Sequence, residues 1–288
     1  MHQNLAVPYL TLWRSGPVRC ALCLALAVVG ALGVAVCHPE ATGAAPGATG
    51  AVRGRVHLSG KLPGNPVVRM GMDPMCAQIN RGKQVVQETV VVTADGDLGN
   101  VFIDLQGKFP PSPVPAEPVI IDQVACFYRP RMVGARVGQT LQIRNSDPTL
   151  HNVHSLSALG NGFNVGQPKG GMVYSFRLKD EERMLRLKCD VHSWMTAYVG
   201  IVSHPYFAVS GTNGAFQIEK IPPGTYTVEA WHERYGRLTR TISVTAGSVA
   251  NLDFTYTGTE PPPTARIRDW TLPAGTLSAR LVPFDNAR

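Results

Sequence analysis

Alternation of apolar and polar positions, rather than a helical repeat, organises most of this chain. Leu185, Leu187 and Cys189 alternate with Arg186 and Lys188, which is the period-2 signature of a half-buried strand ending at the cysteine. After a short loop, the apolar run 197–202 reads as the next strand. Leu141 and Ile143 alternate against Gln142 and Arg144, so another strand is expected to end near Asn145. Upstream, residues 52–58 alternate and break at Ser59-Gly60. Residues 85–93, 99–105 and 119–122 are rich in Val and Ile, and are separated by Asp95-Gly96 and by a loop at 109–118 holding five prolines, a turn and a surface connection. Residues 71–83 read as irregular. Nothing between 51 and 143 sustains a 3.6-residue apolar period, so the expectation is an all-β domain.

Beyond His204-Pro205 the pattern shortens. Segments 207–210, 215–218, 225–230 and 240–244 are joined by Thr212-Asn213-Gly214, Pro222-Pro223-Gly224 and Ala246-Gly247, which predicts a second β-sandwich. Trp231-His232-Glu233 ends the third of these strands. No second histidine at i+4 accompanies the His-Glu pair, so packing between domains is expected there rather than metal or acid–base work. From 258 onward, with Pro261-Pro262-Pro263, the chain reads as a linker and tail.

The N-terminus differs in kind. Arg14 and Arg19 precede an uncharged apolar stretch at 20–37, followed by a small-residue segment at 41–50. This predicts a leader helix that acts as an export signal. It is also long enough to stay as a membrane anchor. Either way the folded part is expected outside the cytoplasm, in a bacterial periplasm or at the cell surface. At 16% charged and 44% hydrophobic over 288 residues, the remainder is ordinary for one or two globular domains. The net charge is +7, and removing the two leader arginines leaves +5. Lys and Arg are scattered, which excludes the basic run that nucleic acid wants.

The chemistry concentrates in one loop. Cys189, His192 and Met195 fall between two predicted strands, and His151 follows the strand that ends at Asn145. One thiolate, two imidazoles and one thioether form the ligand list of a mononuclear copper electron-transfer site. Zinc would need a second ligand pair that is not visible, and packing alone is the remaining reading of Cys189 and Met195. Cys20-Ala21-Leu22-Cys23 is followed by Leu24, which excludes covalent haem attachment. His154 reads as a polar loop histidine or an extra ligand. Past the leader, Cys76 and Cys126 remain, either as a disulfide permitted by an oxidising compartment or as two small buried hydrophobes.

At Gly138, Asn145, Asp147, His151-Asn152 and Cys-x₂-His-x₂-Met, the span 138–202 resembles the cupredoxins, the blue copper family of plastocyanin, amicyanin and azurin. That resemblance implies a Greek-key β-sandwich and a type 1 copper site. His151 and His192 would bind through ring nitrogens, Cys189 through its thiolate and Met195 as a distant axial ligand. Asn152 would hold the loop and hydrogen-bond towards the sulfur. It also implies an electron carrier, not an enzyme, with a cytochrome or an oxidoreductase as redox partner. Rival readings are a copper carrier or storage protein, a surface-binding module, or a type 1 centre feeding a catalytic copper; His154, His204 and His232 are too isolated for the last. Residues 214–226 resemble the carboxypeptidase regulatory-like, transthyretin-like domain, whose opening strand is missing there. The Gly54-x-Val56 strand is similar to that opening strand, so the first domain could be inserted in the second. The expected layout is 1–50 leader and linker, 51–206 cupredoxin-like domain with 51–70 open to pairing with the second sandwich, 207–257 regulatory-like domain, and 258–288 tail.

Overall fold

The computed structural model describes residues 47–62 and 64–263; the expected leader, and all of the tail beyond 263, lie outside them. Among the described residues there are seventeen strands and one short helix, so the fold is all-β. None of their helices is long and apolar enough to cross a membrane. In chain order the elements begin with β1 (Gly50–Leu58), α1 (Pro74–Ile79), β2 (Phe102–Gln106), β3 (Val119–Val124), β4 (Phe127–Arg129) and β5 (Met132–Arg136). They continue with β6 (Thr140–Asn145), β7 (His151–Ser155), β8 (Asn164–Gln167), β9 (Val173–Arg177), β10 (Glu182–Lys188) and β11 (Thr196–Val202). The last six are β12 (Phe207–Val209), β13 (Ala215–Ile221), β14 (Gly224–His232), β15 (Gly236–Val244), β16 (Val249–Asn251) and β17 (Phe254–Tyr256).

One sandwich packs the sheet β5-β11-β10-β7-β8 on the sheet β4-β3-β6-β9. Their inward positions, among them Leu141, Ile143, Leu185, Leu187, Val199 and Ile201, form one buried apolar cluster that also contains Cys189 and Met195. These are the residues that alternate in the sequence, as expected where one face of a strand meets a core. The second sandwich packs β13-β1-β16, extended by β17 along β1, on β12-β2-β14-β15, around Val52, Val56, Ile103, Leu105, Val228 and Phe254.

The pairing of β1 with the second sandwich is one that the expected layout left open for 51–70, and the expected span 51–206 differs from the observed sheets at β2. β1 lies between β13 and β16, and β2 lies between β12 and β14. Both are interior strands, whose backbone groups need partners on each edge, and those partners all come from the second sandwich. The first sandwich is thus an excursion from 119 to 202 between β2 and β12. Residues 85–93 also differ, making only isolated bridges, Val67 with Val86 and Val92 with Leu98. The segment 71–83, expected to be irregular, contains α1, capped by Asp73 with Pro74 in the first turn, a start that suits proline because that N–H has no helical partner.

The sandwiches share a packed face. Phe102 and Phe207 stack with ring centroids 5.8 Å apart against Gly134 and Gly200, which sit side by side in the β5/β11 register. A Cβ at either glycine would collide with those rings. Met132, Val202 and Trp231 complete the patch. Two ion pairs cross it: Arg131 with Glu233, both 8% exposed, and Arg183 with buried Asp104. Trp231-His232-Glu233 thus sits where inter-domain packing was expected.

Candidate metal centre

The loop 189–195 is a hairpin connection whose flanks are pinned by the pairs Leu187 with Ala197 and Lys188 with Thr196. Cys189 N–H donates to the Met195 carbonyl at 3.2 Å, and Met195 N–H donates to the His192 carbonyl at 3.0 Å. Three candidate ligands are therefore laced together by backbone bonds. His151 arrives from the other direction as the first residue of β7, which lies beside β10 through Leu187 with Ser155 and Lys188 with His154. Ligands from two loops meet because their two strands are neighbours in one sheet.

The donor atoms converge. His151 Nδ1 lies 3.0 Å from His192 Nδ1, Cys189 Sγ lies 3.8 Å from His192 Nδ1, and one donor atom from each of the three residues falls within 4.8 Å of the others. Exposure is 0% for His151, 1% for His192, 3% for Cys189 and 0% for Met195. The outer nitrogens are occupied: His151 Nε2–H donates to Asp147 Oδ2 at 2.8 Å, and His192 Nε2–H donates to Asp73 Oδ2 at 2.7 Å. A carboxylate only accepts, so each ring turns an Nδ1 lone pair inward. Two lone pairs and a sulfur then face one another in a dry space, which requires a positive charge among them. A proton meets that need in the metal-free chain. A cation with bonds of about 2.0–2.3 Å to nitrogen and sulfur fits the same donors.

The titration behaviour follows. Burial opposes charge on both His151 and Cys189. Asp147 and the sulfur outweigh it at His151, raised to about 9. Hydrogen bonds from both imidazoles and from the Asn152 and His192 N–H groups outweigh it at Cys189, lowered to about 6. His192 is also raised, with burial offset by Cys189 and Asp73. Asp147 is lowered although it is buried, because it accepts from His151 and from the Cys126 and Ala125 N–H groups.

Asn152 touches the sulfur through its backbone N–H, at 3.4 Å, while its side-chain Oδ1 accepts from Asp190 N–H at 2.9 Å and so holds the ligand loop. His154 does not join the cluster; its Nδ1 lies 3.0 Å from the Asp190 carboxylate. His204 and His232 are buried, and their Nδ1 atoms accept from Tyr206 and Arg234 N–H. Neither belongs to a donor group. Trp194 packs beside His192 with centroids 5.0 Å apart and donates Nε1–H to the Cys126 carbonyl at 3.0 Å. Cys76 and Cys126 form a disulfide. Two residues that the sequence reading left without a role, Asp147 and Asp73, complete the cluster. Asp147 could have been found from its position four before His151; nothing local points Asp73 at His192.

Residues 197–257 match the model of the carboxypeptidase regulatory-like domain. Its first residues, 197–202, lie in β11 of the other sandwich, and β13 within the matched span pairs with β1 from outside it. Similar solved structures include a purple cupredoxin from Nitrosopumilus maritimus at 22% identity, covering 29% of this chain and 99% of that one with a TM-score of 0.26. A Cu(I) form of a methionine-to-alanine mutant of amicyanin is 19% identical over 35% of this chain and 98% of that one, with a TM-score of 0.27. A Cu-containing nitrite reductase from Thermus scotoductus is 19% identical over 32% of this chain and 25% of that one, with a TM-score of 0.26. The search of curated proteins gave no match.

Proposed function

We propose that this chain is an exported, mononuclear type 1 copper protein that passes single electrons between larger redox proteins. The observation that carries this reading is the convergence of His151 Nδ1, His192 Nδ1 and Cys189 Sγ in a buried space, with both outer nitrogens held by carboxylates. A His₂Cys set with a nearby Met suits copper, whose two oxidation states divide their preference between sulfur and imidazole. Copper held there supplies a one-electron couple. The chain's own residues do the rest. Asp147 and Asp73 set the tautomers, the Asn152 and His192 N–H groups bond the sulfur and stabilise its negative charge, and the apolar cluster around Met195 excludes water.

Burial argues for electron transfer over catalysis, since an electron can cross the few ångströms of protein covering the ligands and a substrate cannot reach them. It also favours a shuttle over a copper carrier, because the outer edge of His192 is covered by Asp73 and the Cys76–Cys126 disulfide rather than open to an accepting ligand. The disulfide supports a compartment outside the cytoplasm. Redox partners, a cytochrome or an oxidoreductase, are part of this proposal, as is the absence of an enzymatic substrate.

The test is copper loading of the purified chain. The expected result is one copper per chain and intense visible absorption that Cys189→Ala abolishes, with Met195→Gln lowering the reduction potential while copper stays bound. A colourless copper-loaded wild type overturns the assignment.

A further inference from the structure

We propose that Asp73 is a positioning residue for His192, brought to the metal centre by a segment outside both sandwiches' sheets and locked there by the Cys76–Cys126 disulfide. This role rests on the metal centre proposed above. The two residues are 119 apart in sequence. Asp73 lies in the connection between β1 and β2, both of which belong to the second sandwich, so a segment strung between its strands completes a site in the first.

One carboxylate performs two tasks. Its Oδ1 accepts from Cys76 N–H at 2.8 Å, capping α1, and its Oδ2 accepts from His192 Nε2–H at 2.7 Å. The cap fixes the Asp73 backbone, and the disulfide fixes the cap to the turn between β3 and β4. Asn80 adds a second tie, donating from Nδ2 to the Ala125 carbonyl at 3.1 Å. On the far side of the same turn, Cys126 N–H donates to Asp147 Oδ2 at 2.7 Å, the oxygen that also serves His151. A continuous arch therefore runs from His151 through Asp147, Cys126, Cys76 and Asp73 to His192. Cys76 Sγ lies 3.7 Å from His192 Nε2, so sulfur and carboxylate together cover an edge that would otherwise face water.

Two consequences follow. Asp73 selects the tautomer with the proton on Nε2 and the lone pair on Nδ1, as ligand-orienting partners do. Its negative charge beside a ligand also favours the more highly charged metal state, Cu(II).

Two substitutions separate capping from ligand contact. Asp73→Ser keeps an N-cap oxygen but is too short to reach His192. Asp73→Asn removes the charge and leaves one acceptor oxygen of the same reach, which can serve Cys76 N–H or His192 Nε2–H but not both. Asp97→Asn, in the Arg55–Asp97 surface pair, serves as the control. In the full-length, disulfide-intact chain, Asp73→Ser is expected to weaken copper binding by about 10–100-fold in competition with a chelator. In the metal-free protein, ¹⁵N NMR should then show His192 losing its preference for Nε2–H. Asp73→Asn, having lost the charge in either amide orientation, is expected to raise the reduction potential, and the control to match wild type throughout. Wild-type affinity, potential and tautomer in Asp73→Ser overturn the role. Should that variant fail to fold, an unchanged potential in Asp73→Asn overturns it instead. A wild type that takes up no copper removes the metal centre itself. The NMR comparison then decides alone: Nε2–H lost in Asp73→Ser supports the positioning role, and Nε2–H retained overturns it.

Discussion

Asp147→Asn is the sharpest test of how the first histidine is held. Asp147 is 4% exposed and serves three donors with two oxygens. Oδ1 accepts from Ala125 N–H at 2.8 Å, and Oδ2 accepts from Cys126 N–H at 2.7 Å and from His151 Nε2–H at 2.8 Å. Ala125 and Cys126 have φ of 54° and 59°, a left-handed pair that non-glycine residues disfavour and that these two bonds hold in place. An asparagine can offer only one oxygen. Placed to serve Cys126 and His151, it turns its amide donor on Ala125 N–H, leaving a half-buried donor unsatisfied at about 1–3 kcal/mol. Losing the carboxylate charge weakens the two surviving bonds, so the total expected is about 2–4 kcal/mol. Urea unfolding of the metal-free, disulfide-intact protein measures it. The effect depends on pH in a defined direction. The Asp147 carboxyl is held below its ordinary 3.8, so its stabilisation is fully present above that value and is lost as pH falls through the lowered native one. The gap between wild type and variant should therefore narrow in acid. Copper affinity should fall about 10–100-fold with it. A variant within about 0.5 kcal/mol of wild type and unchanged in affinity would show that Asp147 neither braces the turn nor orients His151.

Other outcomes are expected from the same geometry. In the metal-free protein the ultraviolet absorbance of the Cys189 thiolate should titrate near 6, and copper affinity should fall as pH drops below that point, where protons compete for the sulfur; a thiol titrating near its ordinary value would contradict the cluster. Glu233→Gln should cost about 3–5 kcal/mol, because it strands a buried guanidinium. The double replacement Arg131→Met with Glu233→Leu should recover most of that loss in thermal or urea unfolding; strictly additive losses would remove the coupling across the sandwich interface.

How far the chain could be read depended on the range of the interaction. The ligand loop was legible because its cause is local. Leu185, Leu187 and Cys189 alternate into one core, 197–202 returns beside them, and three candidate ligands sit between. The strands at 140–145 and in 215–244 were legible for the same reason. β8, β16 and β17, each of three or four residues, carry too few alternating positions to signal a strand. α1 is six residues long, under two turns of helix, and its start is marked only by Asp73-Pro74.

The amino-acid order alone settled the chemistry on offer: which soft and hard donors exist, at what spacing, and that strands would present them. It also determined the all-β character, since a period of two repeated over short segments leaves no helical face to bury. The assignment of strands to sandwiches was decided in three dimensions. β1 pairs with β13, β16 and β17, more than 150 residues away in the chain, because an interior strand must satisfy both edges wherever partners lie. The same applies to the outer carboxylates. Asp73 meets His192, and Cys76 meets Cys126, only because folding carries a loop of one sandwich onto the ligand end of the other, a result of packing and loop closure that no neighbouring residue encodes.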